Sequence, residues 1–224
     1  TAMPAFSWKD CRKTVHEAYA DFSPQFGKIV DDFFNKNWID AELRHGKRGG
    51  AFSAGTTPEL HPYILVNYTD KLRDAVTVAH ELGHGIHQYL SGKQGYLQAD
   101  TPLTTAETAS VFGEFLTFHN LLNHQKDPQA KLGLLCGKIE DAFATVFRQA
   151  CLTHFEQKLH KARREQGELA PEQIGAIWME VNKAMFGDSV ELSEGYSNWW
   201  CYIPHFIHSP FYCYAYSFGE LLVL

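Results

Sequence analysis

Residues 76–90 read VTVAHELGHGIHQYL and place three histidines, His80, His84 and His87, within eight positions. An α-helix turns about 100° per residue, so His84 lies about 40° round the axis from His80 and His87 about 20° the other way. All three then share one face, and two pairs could hold a metal: His80 with His84, or His84 with His87. The residue after the first histidine of each pair separates them. Glu81 follows His80 and lies at the flank of the metal-facing stripe, where a carboxylate can act as a base without displacing a ligand. Gly85 follows His84, so that pair could hold an ion but would lack a base. His80 and His84 are the expected ligands, and His87 a packed or outlying histidine. With 12 His and 15 Glu in 224 residues, one H-E-x-x-H arises by chance in roughly 4% of such sequences. The pattern therefore needs support from its surroundings.

A catalytic zinc keeps three protein ligands and one open position. The H-E-x-x-H-x-x-G-x-x-H solution is excluded, because His87 stands where the glycine is needed and Leu90 where the third histidine is needed. The other common solution takes a carboxylate from a following helix. Two fit within TAETASVFGEF: Glu107 and Glu114, seven apart and so on one helix face. Glu107, close behind Pro102, suits the third ligand. Glu114, two turns on, suits a carboxylate that hydrogen-bonds the free N–H of a ligand histidine.

Composition limits the alternatives. A net charge of −6 argues against nucleic acid as a partner, since phosphate binding needs a basic face. The basic run KLHKARR, 158–164, alternates with acids and reads as a solvated helix face. No apolar run approaches the roughly 20 residues of a membrane span. Cys11, Cys136, Cys151, Cys201 and Cys213 are odd in number and scattered, as expected of reduced thiols in the cytoplasm. The chain begins at Thr1 without Met and stops in the apolar run FGELLVL without a helix stop signal, which suggests a fragment.

Most of the chain reads as helix. Apolar residues at three-and-four spacing predict helices over 7–20 and 24–43. The Gly-rich GKRGGAFSAG and the β-branched HPYILVNYT predict two strands between 46 and 69. Asp70 is the expected cap of a histidine-bearing helix running to about Leu90, and Pro102 stands near the start of the next. Asp127-Pro128 opens a long helix to about Gln166, and Pro171 opens another ending near Gly187. Residues 195–216 are dense in rings and broken by two prolines; Phe211 and Phe218 read there as packed core aromatics. The expected architecture is mostly α with a small β-sheet, one zinc-bearing unit over 1–224.

Three stretches together resemble the thimet oligopeptidase and oligoendopeptidase F metallopeptidases, and oligoendopeptidase F in particular: HPYILVNYTDKLRDAVTVAHELGHGIHQYLS, TAETASVFGEF and IPHFIHSPFYCYAYSFGELL. The resemblance covers roughly residues 46–120 and 195–224. It implies a zincin-like helical catalytic lobe, one part of a larger two-lobed peptidase whose N-terminal helical lobe and last C-terminal helices are absent. It implies zinc on His80, His84 and Glu107, with Glu81 as general base and Glu114 behind a ligand histidine. GKRGGAF resembles the strand that pairs with substrate backbone, which puts Gly50, Ala51 and Phe52 beside the peptide by β-augmentation. A histidine and two tyrosines of the tail would hydrogen-bond the substrate carbonyl. Tyr216 is the firmest match, then His205 and Tyr212, with His208 and Tyr214 as alternatives because the spacing differs by one residue from thimet-type members.

The expected function is a zinc metalloendopeptidase acting on internal bonds of short peptides. A related helical zinc carboxypeptidase would need a cation for the substrate C-terminus, and the tail stretch shows no arginine. A non-catalytic zinc module would need a fourth Cys or His at suitable spacing. Oligomeric state is not legible.

Overall fold

Two helices, α1 (Trp8–Phe22) and α2 (Pro24–Asn35), open the part of the chain that the computed structural model describes, residues 5–224. Ser7 caps α1 by accepting from the Asp10 N–H at 3.1 Å, and Pro24 sits in the first turn of α2, where its missing N–H costs nothing. Helix α2 buries Ile29, Val30, Phe33 and Phe34. It does not run to residue 43 as the spacing predicts. Asn37 adopts φ 58°, a conformation asparagine tolerates, and the chain turns into strand β1 (Ile39–Asp40). Trp38 kept the apolar rhythm only because the turn folds it back onto Phe33, with ring centroids 5.2 Å apart.

Strand β1 runs parallel to β3 (Tyr63–Leu65), which pairs antiparallel with β2 (Phe52–Ala54). The sheet thus has three strands in the order β1-β3-β2, not two, and β2 lies at its edge. The buried amine of Lys47 ties the loop between β1 and β2 together, donating to the carbonyls of Asp40, Glu42 and Val66 at 2.7–3.0 Å.

Helix α3 (Leu72–Ser91) follows, but Asp70 is not its cap. Asp70 is left-handed at φ 58°, and the carboxylate closing the helix start is Asp74, which accepts from the backbone N–H groups of Thr69 and Lys71. Helix α4 (Leu103–His124) starts after Pro102 and crosses α3 with the two backbones touching. A methyl on Gly83 would run into the carbonyl of Ala109, and one on Gly113 would come within 2.6 Å of the Ala79 carbonyl. That same carbonyl accepts from the buried phenol of Tyr19 at 2.8 Å. Tyr19, Val30, Phe33, Ile64, Val78 and Leu82 form the core beneath this crossing, each fully buried side chain contributing about 1.5–3 kcal/mol.

Asp127 caps α5 (Pro128–Phe143), as its sequence predicts, but the expected single helix to Gln166 is broken. A π-helical turn at Ala144–Arg148 separates α5 from α6 (Gln149–Gln166). The Ser217 hydroxyl donates to the carbonyls of Thr145 and Val146 there, which supplies partners for a loosened ladder. Helix α7 (Pro171–Phe186) ends at Gly187, φ 56°; a 3₁₀ segment (Glu194–Tyr202), the short α8 (His205–His208) and α9 (Tyr214–Val223) complete the fold. Phe155, Trp178, Val181, Ile203 and Cys213 make a second core. Phe211 and Phe218 are not in it: they are 38% and 47% exposed. Phe211 has φ 60°, which turns its ring outward against His160.

Candidate active site

His80 and His84 stand one turn apart on α3, their rings 5.0 Å between centroids and nearly perpendicular. The backbone contact of α3 with α4 brings Glu107, 1% exposed, across from both. One carboxylate oxygen, Oε2, lies 3.7 Å from His80 Nε2 and 3.7 Å from His84 Nε2. Ligand atoms of these three residues all lie within 4.8 Å of one another. Glu114, two turns further along α4, takes the opposite nitrogen: its Oε1 is 2.5 Å from His80 Nδ1. His80 Nε2 is thereby directed at Glu107. His87 does not join the cluster; its Nδ1 is buried without a hydrogen-bond partner.

Two contacts to Glu107 were not foreseen. The Ser110 hydroxyl donates to Oε2 at 3.0 Å, a partner that its i+3 spacing on α4 could have revealed. The Tyr212 hydroxyl donates to Oε1 from the far end of the chain, and nothing local in the sequence signals that pairing.

The electrostatics favour a cation. Burial opposes a charge on His80, but the Glu114 hydrogen bond and the carboxylates of Glu114, Glu81 and Glu107 outweigh it, raising its pKa to about 9. His84 is pushed the other way, to about 3, by burial and by the neighbouring His80 charge. Burial raises Glu81 to about 7; the His80 charge opposes this, while Glu107 and Glu114 add to it. Three carboxyl groups therefore surround two imidazoles, of which His80 favours the charged form and His84 the neutral one. Two imidazole nitrogens and one carboxylate oxygen, all turned to one point, are also the donor set that suits Zn²⁺.

The tail supplies hydrogen-bond donors beside this cluster. The rings of His205 and Tyr212 are 5.0 Å apart, those of Tyr212 and Tyr216 5.3 Å, and those of His205 and Tyr216 6.3 Å. Burial and the nearby Glu107 charge raise both phenols, so Tyr212 and Tyr216 stay protonated at neutral pH. The alternatives point elsewhere. Tyr214 is exposed and its hydroxyl meets Thr104 Oγ1 at 2.9 Å, and His208 is exposed.

Helix α9 lies against α4 at the backbone of Glu107 and Thr108, since a methyl on Gly219 would come within 3.0 Å of Thr108 N and 3.1 Å of the Glu107 carbonyl.

The edge strand lies beside the same helix. Gly50 has φ 81°, and its carbonyl accepts from the Asn67 amide at 2.9 Å. Ile64 and Val66 send their N–H groups to the Trp38 and Asp40 carbonyls, so Tyr63 and Leu65 face β2 and pair with Ala54 and Phe52. By strand alternation the backbone groups of Ala51 and Ser53 then face outward. Gln88, one turn beyond His84, holds Ser53 by both hydroxyl (2.7 Å) and carbonyl (3.2 Å), another link the sequence does not announce. A cleft of about 650 Å³ continues past the end of β2, lined by Gly55, Pro58, Gln88, Tyr89 and Tyr96.

Comparison with known proteins gives a consistent answer. An oligoendopeptidase F homolog of Lactococcus lactis subsp. lactis is 32% identical over 215 residues, which covers 96% of this chain and 35% of that protein. Oligopeptidase PepF of Bacillus subtilis is 30% identical over 214 residues, 95% of this chain and 32% of its own length. The chain thus spans about a third of the length of the curated relatives it matches. Among solved structures, PZ peptidase A with an inhibitor superposes with a TM-score of 0.82 at 18% identity, over 99% of this chain and 39% of that one. Oligoendopeptidase-F from Enterococcus faecium gives a TM-score of 0.59 at 21% identity, over 96% and 31%. At those identities the two structures speak for the fold alone. The profile of peptidase family M3 matches residues 12–220, spanning the sheet, α3, α4 and the tail, and the chain belongs to that family.

Proposed function

We propose that this chain carries the catalytic centre of a zinc metalloendopeptidase that cleaves internal bonds of short peptides in the cytoplasm. The observation that carries this reading is Glu107 Oε2 standing 3.7 Å from both histidine Nε2 atoms, with Glu81 buried at their flank. Peptide substrates agree with the names of the curated relatives, an oligoendopeptidase F homolog and an oligopeptidase. A cytoplasmic setting agrees with five free cysteines; among the described residues no helix is long and apolar enough to cross a membrane.

His80, His84 and Glu107 would hold the zinc, and Glu114 would orient His80 through Nδ1. Bound there, zinc supplies Lewis acidity toward a peptide carbonyl and toward water. Glu81, buried at the flank of the two histidines, accepts a proton from the attacking water and delivers it to the nitrogen of the leaving amine. Tyr216 and His205 offer donors to the substrate carbonyl oxygen as it gains negative charge, and Tyr212 joins them when its hydroxyl turns from Glu107 Oε1 to that oxygen. The outward N–H and C=O groups at Ala51 and Ser53 receive the peptide backbone as an added strand, with Gly50 and Phe52 flanking it. To do so the peptide displaces the Gln88 amide from the Ser53 carbonyl.

The test is hydrolysis of an internally quenched peptide blocked at both ends, using the full-length protein with and without zinc removal. Zinc-dependent cleavage of the blocked peptide is expected. Cleavage that needs a free C-terminus would instead make the protein a carboxypeptidase, and no zinc-dependent cleavage of either peptide would leave a non-catalytic metal module.

A further inference from the structure

Glu156 on α6 is a buried carboxylate that the reaction as described does not use. It is 0% exposed, and one oxygen, Oε2, has no hydrogen-bond partner. Such a group is costly to bury, and Leu or Gln would fill the space at lower cost. The bond it does make is specific. Glu156 Oε1 accepts from the backbone N–H of Phe211 at 2.7 Å. Phe211 is a bulky residue at φ 60°, a backbone state that side chains disfavour and that persists only where surrounding contacts enforce it. One turn along α6, His160 packs on the Phe211 ring with centroids 4.7 Å apart. Helix α6 therefore grips Phe211 by backbone and ring together.

The next residue is Tyr212, whose hydroxyl donates to Glu107 Oε1. Cys213, fully buried in the second core, fixes the chain on the other side. A short path thus runs from Glu156 through the Phe211 N–H and the Tyr212 phenol to the ligand carboxylate. Burial raises the Glu156 pKa above the usual carboxylate value, against the opposing pull of the Phe211 N–H; the titratable groups facing it are His160 of its own helix and His205 of α8. The same carboxyl group therefore lies near a second member of the tail cluster, His205.

We infer that Glu156 is a positioning residue: by holding the Phe211 N–H it fixes the left-handed turn that aims Tyr212 at the site. The inference rests on the reading that Tyr212 serves the reaction, and the experiment separates the two. In the full-length, zinc-loaded protein, kcat and KM on a blocked quenched peptide are measured for Glu156→Leu, Glu156→Gln, Tyr212→Phe and the Glu156→Leu/Tyr212→Phe double variant. Amide exchange at residues 209–213 is followed alongside, which reports on the turn independently of activity.

Glu156→Leu is expected to lower kcat by about tenfold or more with KM little changed, and to speed exchange of the Phe211 amide. Glu156→Gln keeps a carbonyl acceptor for that N–H and should recover most of the kcat. On the Tyr212→Phe background, Glu156→Leu should add less than about threefold, because both changes act on one phenol. Losses that multiply independently would overturn the inference, as would an unchanged kcat in folded Glu156→Leu or unaltered Phe211 exchange. If Tyr212→Phe lowers kcat and Glu156→Leu does not, only the role of Glu156 falls. If Tyr212→Phe has no effect while Glu156→Leu does, the role of Tyr212 falls and the route with it. Should Glu156→Leu fail to fold, Glu156→Asp, which withdraws the acceptor by one methylene, carries the same comparison with a smaller expected fall.

Discussion

His80, His84 and Glu107 project from two long helices that touch backbone to backbone, whereas His205, Tyr212 and Tyr216 hang from a four-residue helix, a turn and the first turn of α9. The first group is aligned by helical spacing plus one crossing, and Gly83 and Gly113 make that crossing possible. The second is aligned by contacts between segments far apart in the chain, such as Tyr212 with Glu107 and Phe211 with Glu156. On the proposed reading, a site divided this way places the ion-binding groups on the rigid half and the substrate donors on the half that depends on its neighbours. Changes on the α3–α4 side should therefore act on metal and chemistry outright, and changes in the tail should be graded.

The largest effects fall on the helical half. His84→Ala should lose bound zinc and with it measurable activity, whereas His87→Ala should keep about one zinc per chain, because His87 lies outside the ligand cluster. Mass spectrometry of the native protein decides between them, and zinc loss from His87→Ala would redraw the cluster. Glu81→Gln should keep its zinc and lower kcat by about 10³-fold, in the middle of what a positioned base supplies. Near wild-type turnover in that variant would remove Glu81 from the proton transfer.

Tyr216→Phe probes the other half. Deleting one donor that acts in the transition state lowers kcat by about a hundredfold and leaves KM nearly unchanged. A tyrosine that only packs would lower the Tm and spare the turnover of folded protein. Kinetics and melting are therefore read on the same sample.

The two halves also differ in how much of them could be read before folding. His80, Glu81 and His84 share one helix, and Glu107 with Glu114 share another, so fixed angles per residue link them to chemistry directly. Even the separate contacts of Glu107, with both Nε2 atoms, and of Glu114, with His80 Nδ1, follow from their separation by two turns. Spacing fails where one residue reverses the chain. Asn37 ended α2 while Trp38 kept the apolar rhythm, and Asp70 looked like a cap but went left-handed while Asp74 closed the helix. Strand β1 depends on Ile39 meeting Ile64, 25 positions away, which no local pattern announces. The tail aromatics were legible as a group, but sorting Tyr212 and Tyr216 from Tyr214, and Phe211 from the core, required the fold.

Two glycines compare the crossings themselves. At Gly83 an added methyl meets the backbone carbonyl of Ala109, which cannot move without separating α3 from α4. Gly83→Ala should therefore destabilise by about 1–3 kcal/mol. At Gly219 the nearest atom would be Thr108 N at 3.0 Å, a few tenths of an ångström too close. There the gain of about 1 kcal/mol in helix propensity from Gly to Ala offsets the strain. Gly219→Ala should thus be nearly neutral in Tm. Equal losses at both positions would mean that α9 is seated on α4 as rigidly as α3 is.

The smallest expected effect is also the sharpest test within the tail. Tyr214 is two residues from both Tyr212 and Tyr216, and sequence spacing alone leaves it a candidate donor. Its ring is 41% exposed, however, and its hydroxyl meets Thr104 at the outer start of α4 rather than Glu107. Tyr214→Phe removes one exposed hydrogen bond, worth at most about 1 kcal/mol when both partners can turn to water. The phenyl ring keeps whatever packing the tyrosine had. Stability should fall by less than that amount, and kcat and KM should stay within about twofold of wild type. Tyr216→Phe makes the same chemical change only two residues along the chain, in a ring that packs against Tyr212 at 5.3 Å. A fall in kcat comparable to that of Tyr216→Phe would show that the turn after Phe211 can rotate to present Tyr214 instead. The tail would then be a mobile donor set rather than a fixed one, and the contrast between the two halves of the site would be one of motion as well as of construction.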